Sequence, residues 1–288
     1  MDFLSYDFMQ RAMAAGLVTA VVCPLIGMFV VVRRQALIGD GLGHIAFAGV
    51  MGGYLLGVYP TAAAAAVTML GAGAIEFIRR RHAHHADTAL AIMFYTGIAL
   101  AVIFCSMART PGTNLLGVLF GSILTVTVQD LILIAVCGLV VAASVGALFK
   151  RLVLVAFDEE IAHVAGINTA LVSVLLSVLT ALVVVVGMRV VGILLVSALM
   201  VVPVAAAHLL RRGFRATMAW AVAFSVLAVA GGLTLSFYLD IAPGGTIVIT
   251  AVAVYLAVLL AAGRGIGTGL ARRCSGAAVP AGNKQDDQ

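Results

Sequence analysis

The fold of this chain is decided by one stretch near its N-terminus, 33-RRQALIGDGLGHIAFAGV-50. Two arginines are followed by an apolar run that continues to residue 58 and holds only two acidic or basic side chains, Asp40 and His44. This run has about the 20 residues that an α-helix needs to cross the hydrocarbon core of a bilayer. Arginines gather at membrane boundaries. The stretch therefore predicts a membrane-spanning helix with two polar side chains at depth.

The composition extends this interpretation to the whole chain. Of 288 residues, 63% are hydrophobic and 10% are charged, whereas a soluble domain carries about a quarter charged residues. A chain this apolar has the bilayer as its solvent. We predict an all-α polytopic membrane protein with about nine transmembrane helices, or eight if the stretch 169–210 divides differently. The predicted spans are 14–32, 36–58, 61–78, 88–107, 127–149, 169–188, 190–210, 216–238 and 246–263.

The basic residues predict how the bundle is oriented. They cluster at the ends of the odd-numbered spans, and by the positive-inside bias those ends are cytoplasmic. The N-terminus is then outside and the C-terminus inside. Because the net charge of +5 comes from these boundary clusters, it gives no indication of nucleic-acid binding. The clusters are Arg33–Arg34, Arg79–Arg81, Lys150–Arg151, Arg211–Arg215 and Arg272–Arg273.

The predicted transmembrane domain, 1–264, is followed by a tail, 265–288, that is rich in polar and small residues and predicted to be disordered. The outer segment 108–126 is rich in Gly, Thr and Ser and predicts a short surface or re-entrant element. The sequence contains no GxxxxGK[ST] phosphate-binding loop. The chain therefore does not hydrolyse ATP by that chemistry.

A short amphipathic helix is predicted in the inner segment 157-FDEEIAHVAGIN-168. Asp158 is placed to cap it, Glu159 and Glu160 occupy its first turn, and Gly166 is a stop signal. Helices that lie on membranes carry Lys and Arg. The acidic character of this one therefore favours docking on another protein, with an ordinary linker between spans as the alternative.

Asp40 and His44 are the candidate metal ligands. They are four residues apart, which places them on one helix face. From the arginine boundary, His44 lies roughly 15 Å into the membrane, near its middle. Ionisable residues at this depth are costly and are candidates for function. A carboxylate oxygen and an imidazole nitrogen suit zinc, manganese or ferrous iron. The alternative is an Asp–His pair that satisfies itself without metal.

Two further places are weaker candidates for metal binding. His82, His84 and His85 follow three arginines in an inner loop, and clustered histidines can bind metal. The adjacent positive charge favours a solvated loop instead. Asp240 lies at the outer mouth of the eighth predicted span, where it could attract cations or simply end the helix before Pro243. We interpret Glu76 as structural, because its spacing allows a pair with Arg79 or Arg80.

The order of these motifs resembles that of the permease subunits of bacterial zinc and manganese ABC importers. The resemblance covers nearly the whole membrane domain. It rests on 33-RRQALIGDGLGHIAFAGV-50, 119-LFGSILTVTVQDL-131, 157-FDEEIAHVAGIN-168, 192-GILLVSALMVVPVAAAHLL-210 and 244-GGTIVIT-250.

The resemblance implies a type II ABC-importer-like bundle in the bacterial inner (cytoplasmic) membrane, with no permanently bound cofactor. It also implies a homodimer of the permease, two cytoplasmic ATP-binding subunits and an extracytoplasmic metal-binding protein. In this sequence, Asp40 and His44 match the residues that contact the transported Zn²⁺ or Mn²⁺. The segment from Phe157 to Asn168 matches the coupling helix, which sits in a groove of the ATPase.

Other classes compete with this hypothesis. In an ion-coupled secondary carrier, Asp40 would act as a proton relay, but the acidic segment 157–168 would have no role. An intramembrane metalloenzyme finds less support, because the sequence has no HExxH motif. Among metals, the residues favour zinc and leave manganese and iron open.

Overall fold

The computed structural model describes residues 6–81, 86–108, 115–121, 127–188, 190–193 and 195–275. Within these ranges the chain forms eleven helices and no strand, which confirms the all-α prediction. The helices are α1 (Asp7–Val32), α2 (Ile38–Leu56), α3 (Pro60–Arg81), α4 (Ala86–Ala108), α5 (Leu115–Phe120), α6 (Val128–Phe157), α7 (Glu159–Val164), α8 (Thr169–Met188), α9 (Val196–His208), α10 (Phe214–Leu239) and α11 (Pro243–Ser275).

Seven of the described helices, α1, α3, α4, α6, α8, α10 and α11, are long and apolar enough to cross a membrane. Two more correspond to predicted spans but differ in kind. Helix α2 has 19 residues, yet its glycines, Asp40 and His44 lower its hydropathy. Helix α9 has only 13 residues, about 20 Å at 1.5 Å per residue. The membrane-spanning bundle is confirmed, while the number of spans remains a prediction.

The bundle is built from two groups of helices. Helix α1 packs against α6, α8, α9 and α10, and α2 packs against α3 and α4. Helix α8 contacts members of both groups, including α3 and α6. Small residues allow the closest approaches: a Cβ added to Gly27 of α1 would lie 2.0 Å from the carbonyl oxygen of Met200 in α9.

The predicted span 190–210 is wrong in its first third. Residues 190–193 are not helical, and α9 begins only at Val196. Glycines make this break possible. Gly192 has a φ of +95°, and a Cβ on it would lie 2.4 Å from the backbone nitrogen of Gly121. A Cβ on Gly244 would lie 2.0 Å from the carbonyl oxygen of Val191. As a result, α9 starts inside the bundle.

Three other boundaries refine the predictions. Helix α5 is the short element expected within 108–126. Helix α7 is shorter than the predicted segment 157–168, because Phe157 is the last residue of α6. Helix α11 continues to Ser275, past the expected start of the tail at 265. Residues 276–288 lie outside the described ranges, so the disorder of the tail remains a prediction.

Four of the basic clusters meet at one end of the bundle, which we call the basic end. Arg33 and Arg79 both pair with Glu159. Arg215 lies 5.3 Å from the ring centre of Phe149, the residue before Lys150. Aromatic contacts link the two sets, since Phe29 near the end of α1 packs on Phe149 with ring centres 6.4 Å apart. This convergence fits the predicted alternation of spans, and the side that the basic end faces remains a prediction.

Candidate metal site and helix α7

Asp40 is held where the first turns of two helices meet. It lies in the first turn of α2, where the helix dipole favours a carboxylate. Ser197, the second residue of α9, donates a hydrogen bond from its hydroxyl to the Asp40 carboxylate. The backbones approach closely because Gly39 lies against Ser197, with 3.1 Å between an added Cβ and the serine Cβ. The break before α9 is therefore what places Ser197 beside Asp40.

His44 lies one helical turn after Asp40 on the same face of α2. Its imidazole packs edge-on against Phe94 of α4, with ring centres 4.3 Å apart and planes at 71°. Helix α4 can come this close because Gly97 lies on the His44 backbone, where a Cβ would be 2.7 Å from the His44 carbonyl carbon. Both candidate ligands are half-buried. Neither side chain is fully enclosed by the rest of the bundle.

The depth of the pair can be measured along α9. From Ser197 to His208 the helix advances eleven residues, roughly 16 Å, and the basic cluster around Arg211 and Arg212 follows. A hydrocarbon core is about 30 Å thick. Asp40, bonded to Ser197, therefore lies inside the hydrocarbon core of a membrane that ends at this cluster, and His44 lies one helical turn further along α2.

Asp40 and His44 are too few to form a closed metal site within one copy of the chain. In the described ranges, no group of three or more His, Cys, Asp and Glu residues is close enough to hold a metal ion. A closed structural zinc site uses four protein ligands. Asp40 and His44 alone therefore suit an ion that keeps waters or takes ligands from a second chain.

The weaker candidates do not join this pair. His82, His84 and His85 lie outside the described residues. Asp240 is exposed and ends α10 with a left-handed φ of +53°. The turn around it is closed by the Ser236 hydroxyl, which donates to the carbonyl of Ile241 at 2.6 Å. This is the helix-end role that the sequence left as the alternative for Asp240.

Both ends of α7 follow the signals in the sequence. The Asp158 carboxylate accepts hydrogen bonds from the backbone N–H groups of Glu160 and Ile161, each at 2.9 Å. At the other end, Gly166 has a φ of +77°. The N–H of Ile167 donates to the carbonyl of Ala162 at 3.1 Å, and that of Gly166 to His163 at 3.0 Å. These two bonds form a Schellman motif, so α7 is closed at both termini.

The outward surface of α7 is mainly apolar. Ala162 is buried against the bundle, whereas Ile161 is 58% exposed and Val164 is 88% exposed. Phe157, at the corner between α6 and α7, is 65% exposed. Glu160 is exposed beside them. We call Phe157, Glu160, Ile161 and Val164 the α7 surface; a clustered apolar patch of this kind is a candidate interaction site.

Glu159 differs from Glu160 because it bonds within the chain. Its carboxylate pairs with Arg33 and with Arg79 at 3.3 Å, and it accepts from the Ser173 hydroxyl at 3.3 Å. The Arg33 side chain is only 5% exposed. Burial, and then the charge of Arg79, lower the pKa of Arg33, which Glu159 opposes; an arginine still remains charged. Glu159 thus ties α7 to the ends of α1 and α3 and to α8.

Glu76 is the buried acid of the same network. It is 1% exposed and accepts from Arg79 at 2.7 and 3.0 Å and from Arg80 at 2.8 Å. The pairing expected from its spacing is therefore confirmed. Arg80 also donates to the carbonyl of Thr169 at 2.9 Å, at the start of α8. We call Arg33, Glu76, Arg79, Arg80 and Glu159 the anchor network.

A helical membrane bundle with a polar pair inside it and a capped short helix at one end fits a membrane transport subunit. The family model for the ABC 3 transport family matches residues 5–262. The chain belongs to the ABC 3 transport family. The members of this family that it resembles are membrane subunits and not catalysts themselves.

Three curated relatives match nearly the full chain. A "probable metal transport system membrane protein" of Treponema pallidum is 36% identical over 256 residues, which cover 89% of this chain and 96% of the relative. The "manganese transport system membrane protein MntC" of Halalkalibacterium halodurans is 31% identical, covering 87% and 86%. The "high-affinity zinc uptake system membrane protein ZnuB" of Haemophilus influenzae is 31% identical, covering 85% and 94%.

A solved structure has the same architecture. A chain in the structure of PsaBC from Streptococcus pneumoniae in complex with Fab aligns with a TM-score of 0.80 at 29% identity. The alignment covers 89% of this chain and 92% of that chain. The bundle is therefore of the ABC permease type.

Proposed function

We propose that this chain is the permease subunit of an ATP-driven importer of divalent transition metal ions in a bacterial cytoplasmic membrane. Family membership and the names of the relatives support the class. The observation that carries the proposal is the pair of ligands on α2. Asp40, held by Ser197, and His44, packed on Phe94, share one face of a helix at mid-depth.

Two copies of the chain would complete the transport site. Each copy offers one carboxylate and one imidazole, so a homodimer provides four protein ligands around a central pathway. The metal arrives from an extracytoplasmic binding protein, and two cytoplasmic ATP-binding subunits supply the energy. The site alternates between the two sides of the membrane. Binding must remain weak enough for release, because transport requires that the ion leave the site.

We propose zinc as the transported metal. A site made of imidazole and carboxylate binds Zn²⁺ more tightly than Mn²⁺ or Fe²⁺ by the general order of divalent affinities. The relatives are divided, since one is named for manganese and another for zinc. The proposal therefore rests on ligand chemistry and requires a direct comparison of metals.

The test is metal uptake into vesicles that contain the permease, its ATPase and its binding protein. Zn²⁺, Mn²⁺ and Fe²⁺ are compared with and without ATP. We expect ATP-dependent uptake of zinc that is lost in His44→Ala and in Asp40→Asn, because each change removes a ligand. His208→Ala is the matched control: the same substitution at an exposed residue at the end of α9.

Each outcome of this experiment has a defined meaning. Normal uptake by both His44→Ala and Asp40→Asn would refute the site. Uptake that is independent of ATP would refute the importer and favour an ion-coupled carrier. Uptake of manganese but not zinc would support a metal importer and reject zinc as its substrate.

We further propose that the α7 surface docks the ATPase and that Glu159 positions α7 on the bundle. This proposal is supported by the different contacts of two neighbouring acids: Glu159 is bonded to Arg33 and Arg79, and Glu160 is exposed on the α7 surface. Helices α6 and α7 are separated only by Asp158, and α8 begins five residues after Val164. A displacement of α7 by the ATPase is therefore passed directly to two long helices.

Two variants separate docking from positioning. In Ile161→Ser/Val164→Ser, we expect the ATPase to co-purify poorly, because apolar contact area is lost. In Glu159→Gln, we expect normal co-purification but several-fold less uptake per ATP hydrolysed. Asp7→Asn, at an exposed acid in the first turn of α1, is the control for the loss of one charge. If Glu159→Gln folds but no longer co-purifies with the ATPase, Glu159 takes part in docking and does not only position α7.

A further inference from the structure

A cleft opens at the basic end between α6 and α10, and no residue of the anchor network lines it. Its volume is about 570 Å³. The residues that line it include Gly146, Phe149, Lys150, Arg151, Arg215 and Met218. The cleft therefore combines three cationic side chains with an apolar wall.

The three cations of the cleft are not neutralised by the protein. Lys150, Arg151 and Arg215 are exposed, and within the described part of the chain none of them forms an ion pair with a carboxylate. Arg215 instead lies over the ring of Phe149 at 5.3 Å. By contrast, Arg33, Arg79 and Arg80 at the same end all pair with acids. The cleft is a local excess of positive charge.

The start of α10 adds to this positive potential. Helix α10 begins at Phe214, and its N-cap residue, Gly213, has no side chain to accept from the first N–H groups. Uncapped N–H groups carry the positive end of the helix dipole. Arg215 lies in this first turn. The field of the helix and the three side chains therefore favour an anion in the same place.

The cleft lies at the level of the lipid headgroups. Lys150 is 22 residues from the start of α6 at Val128, about 33 Å along the helix, which matches the thickness of a hydrocarbon core. Trp220, the single tryptophan of the chain, is 47% exposed one and a half turns after Arg215; tryptophan favours this interface. Helix α6 continues seven residues beyond Lys150 to Phe157, so α7 lies about 10 Å further out.

An apolar track leads from the cleft into the membrane. Leu139 lies eleven residues before Lys150, on the same face of α6, and is 71% exposed. Between them, Gly146 leaves open space, with no atom within 4 Å of an added Cβ. A hydrocarbon chain lying along this face would bring its headgroup to Lys150 and Arg151.

We propose that this cleft binds the phosphate headgroup of an anionic phospholipid from the adjoining leaflet. Basic pockets between membrane helices recognise such headgroups. Arginine binds phosphate through two parallel N–H donors, and lysine acts as a point charge. A zwitterionic lipid is disfavoured, because its amine would add a fourth cation to the cleft. The inference requires only that the chain spans a membrane, and it is independent of the transported metal.

The test is lipid binding by the full-length chain in detergent, followed by native mass spectrometry. Phosphatidylglycerol is titrated, with phosphatidylcholine and inorganic phosphate as comparisons. We expect Arg151→Gln/Arg215→Gln to weaken phosphatidylglycerol binding at least about tenfold, since two charge-assisted contacts are lost. The matched control is Arg34→Gln/Arg212→Gln, which removes two exposed arginines of the same end that do not line the cleft.

The outcomes separate the sources of the anion. Equal losses in the two double variants would overturn the site, because binding would then follow total charge. Equal binding of phosphatidylcholine, or displacement by millimolar inorganic phosphate, would overturn the lipid assignment. If Arg151→Gln/Arg215→Gln loses the ATPase on co-purification but keeps the lipid, the cleft is a protein contact and the proposal fails.

Discussion

The candidate ligands Asp40 and His44 and the anchor network are both polar clusters in an apolar bundle, but they are held very differently. Among the described residues, Asp40 has one side-chain hydrogen bond, from Ser197, and His44 has one ring contact, with Phe94. In the anchor network, Glu76 alone accepts three bonds from Arg79 and Arg80. One cluster has bonding capacity left over, and the other has almost none.

This difference follows from what each cluster must do. A transport site has to bind an ion and release it, so its ligands need free lone pairs and room to move. An anchor has to keep one geometry, and a buried charge is stable only when it is paired and hydrogen-bonded. Under the proposed function, the cluster with spare hydrogen-bonding capacity is the one that binds and releases the ion. The cluster whose groups are fully hydrogen-bonded is the one that transmits the movement of α7 to the bundle.

The largest effect that would test this contrast is the loss of the buried acid. Glu76 is only 1% exposed. In Glu76→Gln, this buried side chain loses the charge that faces Arg79 and Arg80. Breaking a buried pair from one side costs about 3 kcal/mol or more. We expect a loss of that order in the free energy of unfolding, measured by thermal or denaturant unfolding of the purified chain.

The control for Glu76→Gln is the same substitution at Glu160, which is exposed on α7. We expect Glu160→Gln to change stability by less than about 0.5 kcal/mol, as for most surface positions. If the two variants unfold alike, Glu76 is not a stabilising centre and the contrast between the clusters is lost.

A second test addresses the lightly held cluster. In Ser197→Ala, Asp40 loses its hydroxyl donor while both proposed ligands remain. A hydrogen bond to a charged group contributes about 1.5 kcal/mol or more, so we expect at least about a tenfold fall in metal uptake with little change in unfolding. Ser225→Ala is the matched control, because the hydroxyl of this buried serine in α10 has no partner in the described ranges.

If Ser197→Ala transports normally, Asp40 is positioned by something other than this hydrogen bond. If Ser197→Ala unfolds as readily as Glu76→Gln, Ser197 stabilises the fold and does not specifically position Asp40. Either result would show that bonding density does not separate the two roles.

The sequence predicted the local features of this molecule well. Asp158 as a cap and Gly166 as a stop for α7 required only short-range rules, and both hold. The pairing of Glu76 with Arg79 and Arg80 followed from helical spacing in the same way. Asp40 and His44 could be placed on one face for the same reason. Periodicity and capping describe such contacts because the partners are within one or two turns of each other.

The features that the sequence did not reveal depend on distant residues. Ser197 meets Asp40 across 157 positions, and a serine in an apolar run gives no local signal. The break before α9 depends on Gly121 and Gly244, which lie on other segments. Glu159 was expected to face a partner with Glu160, because composition cannot tell which acid meets Arg33.

The smallest expected effect tests whether the shape of α7 matters apart from its anchoring. Gly166 and Gly73 both have open space around an added Cβ, but only Gly166 has a positive φ, of +77°. In Gly166→Ala the methyl group is forced into the left-handed region, which costs about 1 kcal/mol. In Gly73→Ala, inside α3, the same methyl group favours the helix by a similar amount.

We therefore expect the midpoint of thermal unfolding to fall by about 2 °C in Gly166→Ala and to stay level or rise in Gly73→Ala. Uptake per ATP hydrolysed should fall in Gly166→Ala only, because a loosened Schellman turn changes how α7 meets α8. A fall in the unfolding midpoint without a change in uptake would mean that Glu159 and its arginines hold α7 in place even when its own C-terminus is strained. Force would then pass through the anchor network and not through the helix caps.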